Sequence, residues 1–145
     1  MQINPDTNVS AYTIRSYAPG KIVVYIPETD KAQVLKNSEN QVEDNTLILT
    51  NNFIVSPNNL IIDWANTTAH SLEDNDISLI SSLNPELVVI GTGKHLHFPD
   101  QDILFQFQRQ GIGVEIMDTA AACRTYNFLI ADGRNVVSAL FSIEE

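Results

Sequence analysis

The chain has 145 residues, which is long enough for one domain with a substantial core and short for two. Apolar residues make up 43% of it, a composition typical of globular proteins. With 18 acidic and 8 basic residues the net charge is −10, and such a field repels the phosphates of nucleic acid and of an anionic membrane. We therefore expect no nucleic-acid partner.

The single cysteine, Cys123, rules out an intrachain disulfide and favours a reducing compartment. The opening residues MQINPDTNVSAY lack the basic and apolar regions of a signal peptide. No apolar run reaches the roughly 18 residues that a transmembrane helix needs. These features predict a cytoplasmic protein without direct membrane insertion.

The first half of the chain predicts antiparallel strands joined by turns. In chain order the predicted segments are a strand AYTIRSYA (11–18), a turn at Pro19–Gly20, a strand KIVVYI (21–26), a polar loop (27–46), and strands LILTNNFIVS (47–56) and LIIDW (60–64) around a turn (57–59). This arrangement is typical of a β-meander.

The second half predicts helices that alternate with short apolar strands. In chain order these are a helix from Ser71 to about Leu83, a strand (85–91), a helix from Pro99 to Gln110, a strand GVEIM (113–117), a helix from Asp118–Thr119 to about Ala131, and a strand NVVSALF (135–141). The strands around 86–91 and 113–117 are expected to be parallel, whereas the direction of the last strand is left open. The whole chain, 1–145, is thus predicted to be one α/β domain with a C-terminal βαβαβ-like unit.

The segment ELVVIGTGKH (86–95) looks at first like a phosphate-binding loop after a buried strand. A Walker loop requires glycine where Val88 stands and Ser or Thr where His95 stands. A dinucleotide fingerprint requires a third glycine where Leu96 stands. The loop therefore predicts no nucleotide, and no cofactor is expected.

The last third of the chain carries a longer and more specific pattern. The GTG at 91–93, the run GIGVEIMDTAAACRTYNFLIADGR at 111–134 and the following SAL closely resemble one family of small domains. That family includes the mitochondrial complex I assembly factor 3 and the adipogenesis-associated Mth-type domain protein, together with uncharacterised bacterial members. The DG at Asp132–Gly133 departs from the family's usual EG.

The resemblance implies a single three-layer α/β domain around a central mixed sheet, in agreement with the predicted elements. It implies no established enzymatic activity and, for the mitochondrial member, assembly of a respiratory complex by protein contact. Our leading hypothesis is therefore a non-enzymatic adaptor or assembly-factor-like domain whose protein partner is unidentified. A small-ligand or anion-binding module is the alternative, and an enzyme is the third hypothesis.

Several reactive side chains each have a structural explanation. His95 and His97, near Asp100 and Asp102, are spaced as metal ligands can be, but we interpret them as solvated loop histidines and expect no metal. Cys123 is interpreted as a small buried apolar residue rather than a nucleophile. No catalytic residue is therefore predicted.

A candidate ligand site follows from the expected parallel strands. Their carboxyl ends would bring the glycine loop and the start of the last helix to one edge of the sheet, where α/β proteins bind ligands and helix N-termini favour anions. The candidate residues are Gly91, Thr92, Gly93, Lys94, Asp118, Thr119, Arg124 and Asn127. Alternatively, Arg124 and Asn127, three apart on one helix face, bind loop carbonyls without a ligand.

A candidate partner surface lies around the helix that begins near Pro99. Phe105 falls about 100° beyond Leu104 at helical spacing, outside the arc expected to face the sheet. Phe98, seven residues earlier, extends such a surface if the helical geometry begins that early. We expect these two aromatics either to be covered by a loop of the same chain or to flank a surface for self-association or a protein partner.

Overall fold

The computed structural model describes residues 10–30, 42–43, 45–64 and 71–144. In these ranges the elements are β1 (Thr13–Ala18), β2 (Lys21–Tyr25), β3 (Val42–Glu43), β4 (Thr46–Leu49), β5 (Phe53–Val55), β6 (Leu60–Ile61), α1 (Asp74–Ser81), β7 (Leu87–Gly91), α2 (Gln101–Arg109), β8 (Gly113–Met117), α3 (Thr119–Ala131) and β9 (Val136–Leu140). They form an α/β domain with a mixed sheet, as predicted, and the strands divide into two separate sheets.

The first sheet is antiparallel and has the order β1-β2-β4-β3. Its first two strands are joined by the predicted turn at Pro19–Gly20, where Gly20 takes a φ of 70°. The pairing of β1 with β2 shifts between Ile14 and Ser16, which marks a β-bulge. Strand β3 lies inside the run predicted to be a loop, because Val42 and Glu43 pair with β4.

The second sheet has the order β6-β5-β9-β7-β8. Strand β7 pairs in parallel with β8 and with β9, whereas β5 pairs antiparallel with β9 and β6. The last strand, whose direction the sequence left open, therefore runs parallel to β7 and lies at the centre of the sheet.

The run 47–56, predicted as one strand, is divided between the two sheets. Thr46–Leu49 pairs in the first sheet, and Phe53–Val55 pairs in the second. The break coincides with polar residues, of which Asn52 is buried. The Asn52 side-chain oxygen accepts the Ser142 N–H at 2.8 Å. This bond connects the segment between β4 and β5 to the segment after β9.

Helix α3 lies between the two sheets, against β1 on one side and β7 and β9 on the other. Helices α1 and α2 lie on the opposite face of the second sheet, so this sheet lies between two helical layers, and the first sheet lies beyond α3. Successive side chains of β7 point to opposite faces of the second sheet. Val89 packs into the core on the α3 side, and Val88 and Ile90 pack into the core on the side of α1 and α2.

The helix boundaries agree with the sequence for α3 and differ for the other two. Helix α1 begins at Asp74 rather than after Ser71, because the Asp76 carboxylate accepts the Glu73 N–H at 2.8 Å and closes the first turn there. Helix α2 begins two residues after Pro99 and ends before Gly111, which takes a φ of 76°. In the described ranges, no helix has the length and apolar content that crossing a membrane requires.

Candidate functional site

The structure brings the glycine loop and the start of α3 together, as the parallel strands predict. Gly93 donates its N–H to the Thr119 hydroxyl at 2.8 Å, and Thr119 donates its N–H to the Gly93 carbonyl at 2.9 Å. The Thr92 N–H is bound by the Met117 carbonyl at 2.9 Å. The loop and the helix start are therefore in direct contact through Gly93 and Thr119.

The Thr119 hydroxyl connects three segments of the chain. It accepts from Gly93 and donates to the Phe141 carbonyl at 2.7 Å, and the residue is fully buried. Phe141 in turn donates its N–H to the Gly91 carbonyl at 2.9 Å. This closed set of bonds fixes the ends of β7 and β9 to the first residue of α3.

Gly91 is required by the close approach of α3 to the end of β7. A Cβ atom at this position would lie 2.9 Å from the Ala122 Cβ, 2.9 Å from a methyl group of Leu140 and 3.0 Å from the Thr119 Cα. One of these contacts is with helix backbone, which cannot move aside as a flexible side chain does. The glycine is thus explained by packing.

Thr92 shapes the loop that follows. Its buried hydroxyl donates to the His95 carbonyl at 2.6 Å and accepts the His97 N–H at 3.1 Å. The five residues from Lys94 to Phe98 are consequently held with exposed side chains. His70, the third histidine, lies outside the described residues, and within the described ranges no three His, Cys, Asp or Glu side chains are grouped to hold a metal ion.

Asp118 is the N-cap of α3. Its carboxylate accepts the Ala121 N–H at 2.8 Å, which satisfies one of the unpaired donors of the first turn. The negative charge also lies where the helix dipole favours it. The residue therefore stabilises the helix start directly.

The remaining polar residues of α3 contact β1. Asn127 accepts the Ile14 N–H at 2.8 Å and donates to the Ile14 carbonyl at 2.7 Å. The buried Tyr126 hydroxyl donates to the Tyr12 carbonyl at 2.7 Å. Asn127 thus binds the backbone of a strand, whereas the ligand-free interpretation placed it on loop carbonyls, and no local sequence pattern indicates a partner 113 residues away.

Arg124 faces β1 as well, and its side chain is exposed. It donates a hydrogen bond from Nη1 to the Tyr17 hydroxyl, and its Cζ lies 5.8 Å from the centre of the Tyr17 ring. Arg124 and Asn127 therefore share one helix face, as their spacing predicts. The sequence did not identify Tyr17 as part of this arrangement.

A pocket of about 320 Å³ opens on the outer side of the glycine loop. Its lining residues are Tyr17, Ala18, Pro19, Gly93, Lys94, Ala120 and Ile143. Of these lining residues, Gly93 and Lys94 belong to the ligand site predicted from the sequence. A ligand role for the eight candidate residues stays a prediction, although the structural bonds of Asp118, Thr119 and Asn127 are now defined.

Cys123 is fully buried in the core between the sheets. Burial raises the pKa of its thiol to about 12, because the thiolate would lose its hydration. The thiol is therefore protonated at neutral pH, which agrees with its interpretation as a small apolar residue.

The candidate partner surface is exposed. Phe98 and Phe105 are 62% and 56% exposed, and Leu96 in the loop before them is 51% exposed. Because α2 begins at Gln101, the helical-angle argument holds for Phe105 and does not apply to Phe98. The Arg109 Cζ lies 5.2 Å from the centre of the Phe105 ring, which leaves most of that ring open to solvent.

The sequence analysis missed one exposed aromatic. Phe128 on α3 is 72% exposed, more than either predicted phenylalanine. The signal was present, since Phe128 lies two residues, or about 200° at helical spacing, beyond the buried Tyr126.

Two curated relatives resemble part of the chain. The NADH dehydrogenase [ubiquinone] 1 alpha subcomplex assembly factor 3 of Xenopus tropicalis is 35% identical over 82 residues, which cover 55% of this chain and 45% of the relative. The 13 kDa major membrane protein of Francisella tularensis subsp. holarctica is 38% identical over 66 residues, covering 46% of this chain and 54% of the relative. The chain spans about half the length of the curated relatives it matches.

The fold matches a solved structure over the whole chain. The solution structure of a Mth938-like domain from Bordetella pertussis superimposes with a TM-score of 0.66 and 23% identity, covering 100% of this chain and 93% of that one. At this identity the likeness shows the fold alone. The family described as "Protein of unknown function (DUF498/DUF598)" matches residues 33–141. This chain belongs to that family, which includes the assembly-factor relative that the sequence resembles.

Proposed function

We propose that this chain is a non-enzymatic adaptor domain that acts by protein contact, in the manner of an assembly factor. The observation that carries the proposal is the exposure of three large apolar side chains, Leu96, Phe98 and Phe105, which we together call the α2 surface. Large aromatic side chains are enriched at the centres of protein interfaces, and three large exposed apolar residues within ten positions favour such a role.

The polar residues of the run 111–134 make contacts that support a structural rather than a catalytic role for them. Asp118 caps a helix, Thr119 joins three segments and Asn127 binds the backbone of β1. Cys123 is buried as a thiol. These residues thus stabilise the fold of the domain, whereas we assign contact with a protein partner to the α2 surface.

The name of one curated relative points the same way. The Xenopus tropicalis relative is named as an assembly factor of NADH dehydrogenase, and an assembly factor acts on other proteins. The proposal transfers this mode of action and no particular complex, because the matched region is 45% of that relative. A cytoplasmic location for this chain remains part of the same proposal.

Site-specific photocrosslinking in the native cell tests the proposal. A benzoylphenylalanine residue replaces Phe98 or Phe105 in the α2 surface, and Phe128 in a matched control. We expect positions 98 and 105 to crosslink to one and the same protein and position 128 not to. Phe105→Ser, tested against Phe128→Ser, should abolish that crosslink from position 98 without lowering the melting temperature.

Other crosslinking results would lead to different conclusions. Equal crosslinking from all three positions, or none from 98 and 105, would contradict an adaptor role for this surface. Crosslinking to a second copy of the chain would identify self-association, which sedimentation velocity of the Phe105→Ser variant then checks.

A further inference from the structure

The pocket beside Gly93 has a mainly apolar wall made by segments far apart in the sequence. The turn between β1 and β2 contributes Ala18 and Pro19, the first turn of α3 contributes Ala120, and the segment after β9 contributes Ile143. Its volume of about 320 Å³ lies at the small end of the range of ligand pockets, about 300–1,000 Å³. Such a wall suits a short alkyl chain or a single aromatic ring.

One cationic residue lines this pocket, and a second is bonded to a lining residue. Lys94 lines the pocket with an exposed side chain and forms no ion pair with any residue in the described ranges. Arg124 donates to the hydroxyl of Tyr17, whose ring also lines the pocket. In a chain of net charge −10, a cation in the lining of an apolar pocket favours an anionic headgroup there.

A carboxylate of the chain itself already lies at this place. The Oε1 atom of Glu144 is 2.5 Å from the position that a Cβ atom on Gly93 would occupy. The absence of a side chain at Gly93 is therefore what leaves room for a carboxylate beside the pocket. A second carboxylate bound there would be repelled by Glu144 or would displace it.

We propose that this pocket binds a small amphipathic carboxylate, with its apolar tail against Pro19 and Ile143 and its carboxylate beside Lys94. Glu144 competes for the carboxylate position and weakens the binding. The site is separate from the α2 surface and does not rest on the adaptor role proposed above.

Hexanoate is the probe, titrated into the ¹⁵N-labelled full chain and followed by two-dimensional NMR. The amides of Ala18, Gly93 and Ala120 should shift and saturate, with a Kd on the order of 1 mM for so small a ligand. Acetate, which lacks the tail, and hexanol, which lacks the charge, should each leave these amides unsaturated at the same concentrations.

Paired variants then test the charges. Glu144→Gln should tighten hexanoate binding by about two- to five-fold, and Lys94→Met should weaken it by a similar factor, the range expected for exposed charge pairs. Glu115→Gln on β8 and Arg109→Met on α2 make the same charge changes elsewhere and should each leave the Kd within a factor of about 1.5.

Three results would overturn the proposal. The first is the absence of saturable shifts at the pocket amides, and the second is equal binding of hexanoate and hexanol. The third is a Kd that responds to net charge alone, so that Glu144→Gln and Glu115→Gln have the same effect.

Discussion

The side-chain amide of Asn127 makes both of the hydrogen bonds to Ile14 that the backbone of a neighbouring strand would make. Its oxygen accepts the Ile14 N–H and its nitrogen donates to the Ile14 carbonyl. Ile14 lies in β1, an edge of the first sheet, and is fully buried. Asn127 thus pairs both backbone groups of Ile14 at an edge of the sheet where, in the described part of the chain, no further strand pairs.

Replacing Asn127 by Ala should lower the free energy of unfolding by about 2–4 kcal/mol, because two buried backbone groups lose their partners. Asn127→Asp should also destabilise the chain, since a carboxylate accepts from the N–H but cannot donate to the carbonyl. Urea denaturation measures both changes. Gln108→Ala, an exposed change on α2, is the control and should stay within about 0.5 kcal/mol of the wild type.

Thr119→Val keeps the volume of the side chain and removes the hydroxyl that connects Gly93 and Phe141. We expect a loss of about 2–3 kcal/mol, the cost of leaving a buried N–H and a buried carbonyl unpaired. Thr119→Ser retains the hydroxyl and should cost less than half as much. Equal losses for the two variants in thermal denaturation would mean that the methyl group, and not the hydroxyl, stabilises this junction.

Gly91→Ala places a methyl group against the backbone of α3, so we expect destabilisation by about 1–3 kcal/mol. Gly113→Ala is the matched control, because its new methyl group meets mainly a flexible Leu87 side chain, at 3.1 Å. The control should change stability by less than about 1 kcal/mol. Denaturation curves in which the two variants coincide would contradict the close packing of β7 against α3.

Asp118→Ala removes the cap of α3 and should lower stability by about 1 kcal/mol. Asp118→Asn keeps an oxygen that can accept the Ala121 N–H and loses only the charge near the helix start. The stability of the Asp118→Asn variant should therefore lie between those of the wild type and the alanine variant. The melting temperatures of the three proteins should follow that order, and a reversed order would place the cap elsewhere.

Stability should fall with rising pH above about pH 9. Burial raises the pKa of Cys123 to about 12 and also raises the pKa of Tyr126, so the folded chain holds these protons more tightly than the unfolded chain. Their stabilisation is complete below the unfolded pKa values and is lost as pH rises, at up to about 1.4 kcal/mol per pH unit for each group. Cys123→Ala should reduce the slope between about pH 9 and 10 in urea denaturation, and an unchanged slope would contradict this assignment.

Much of the fold follows from local sequence patterns. The apolar runs of β7 and β8, the Asp118 cap and the glycines after α2 and α3 each act over a few residues, and those elements were predicted close to their observed bounds. The division of the run 47–56 between two sheets was not predicted, because Phe53–Val55 pairs with residues near 140. Hydrophobic patterning identifies a strand and does not identify its partner.

The candidate site shows the same limit. The meeting of Gly93 with Thr119 was predicted, since parallel strands place their carboxyl ends at one edge. The sequence does not reveal that these two residues bond directly to each other, because that depends on distances of about 3 Å. Tyr17 and Ile143 reach the neighbouring pocket from both ends of the chain, and no spacing rule connects them.

The central position of β9 makes the order of synthesis matter for this protein. Strands β5 and β7 both pair with β9, and the ribosome makes β9 after every other described strand. Until residue 140 has left the ribosome, both earlier strands present open edges, and such edges invite pairing with other chains. The β5–β6 pair and the β7–β8 pair therefore join into one sheet only after β9 is synthesised, and a nascent chain stalled before Val136 would be prone to aggregation.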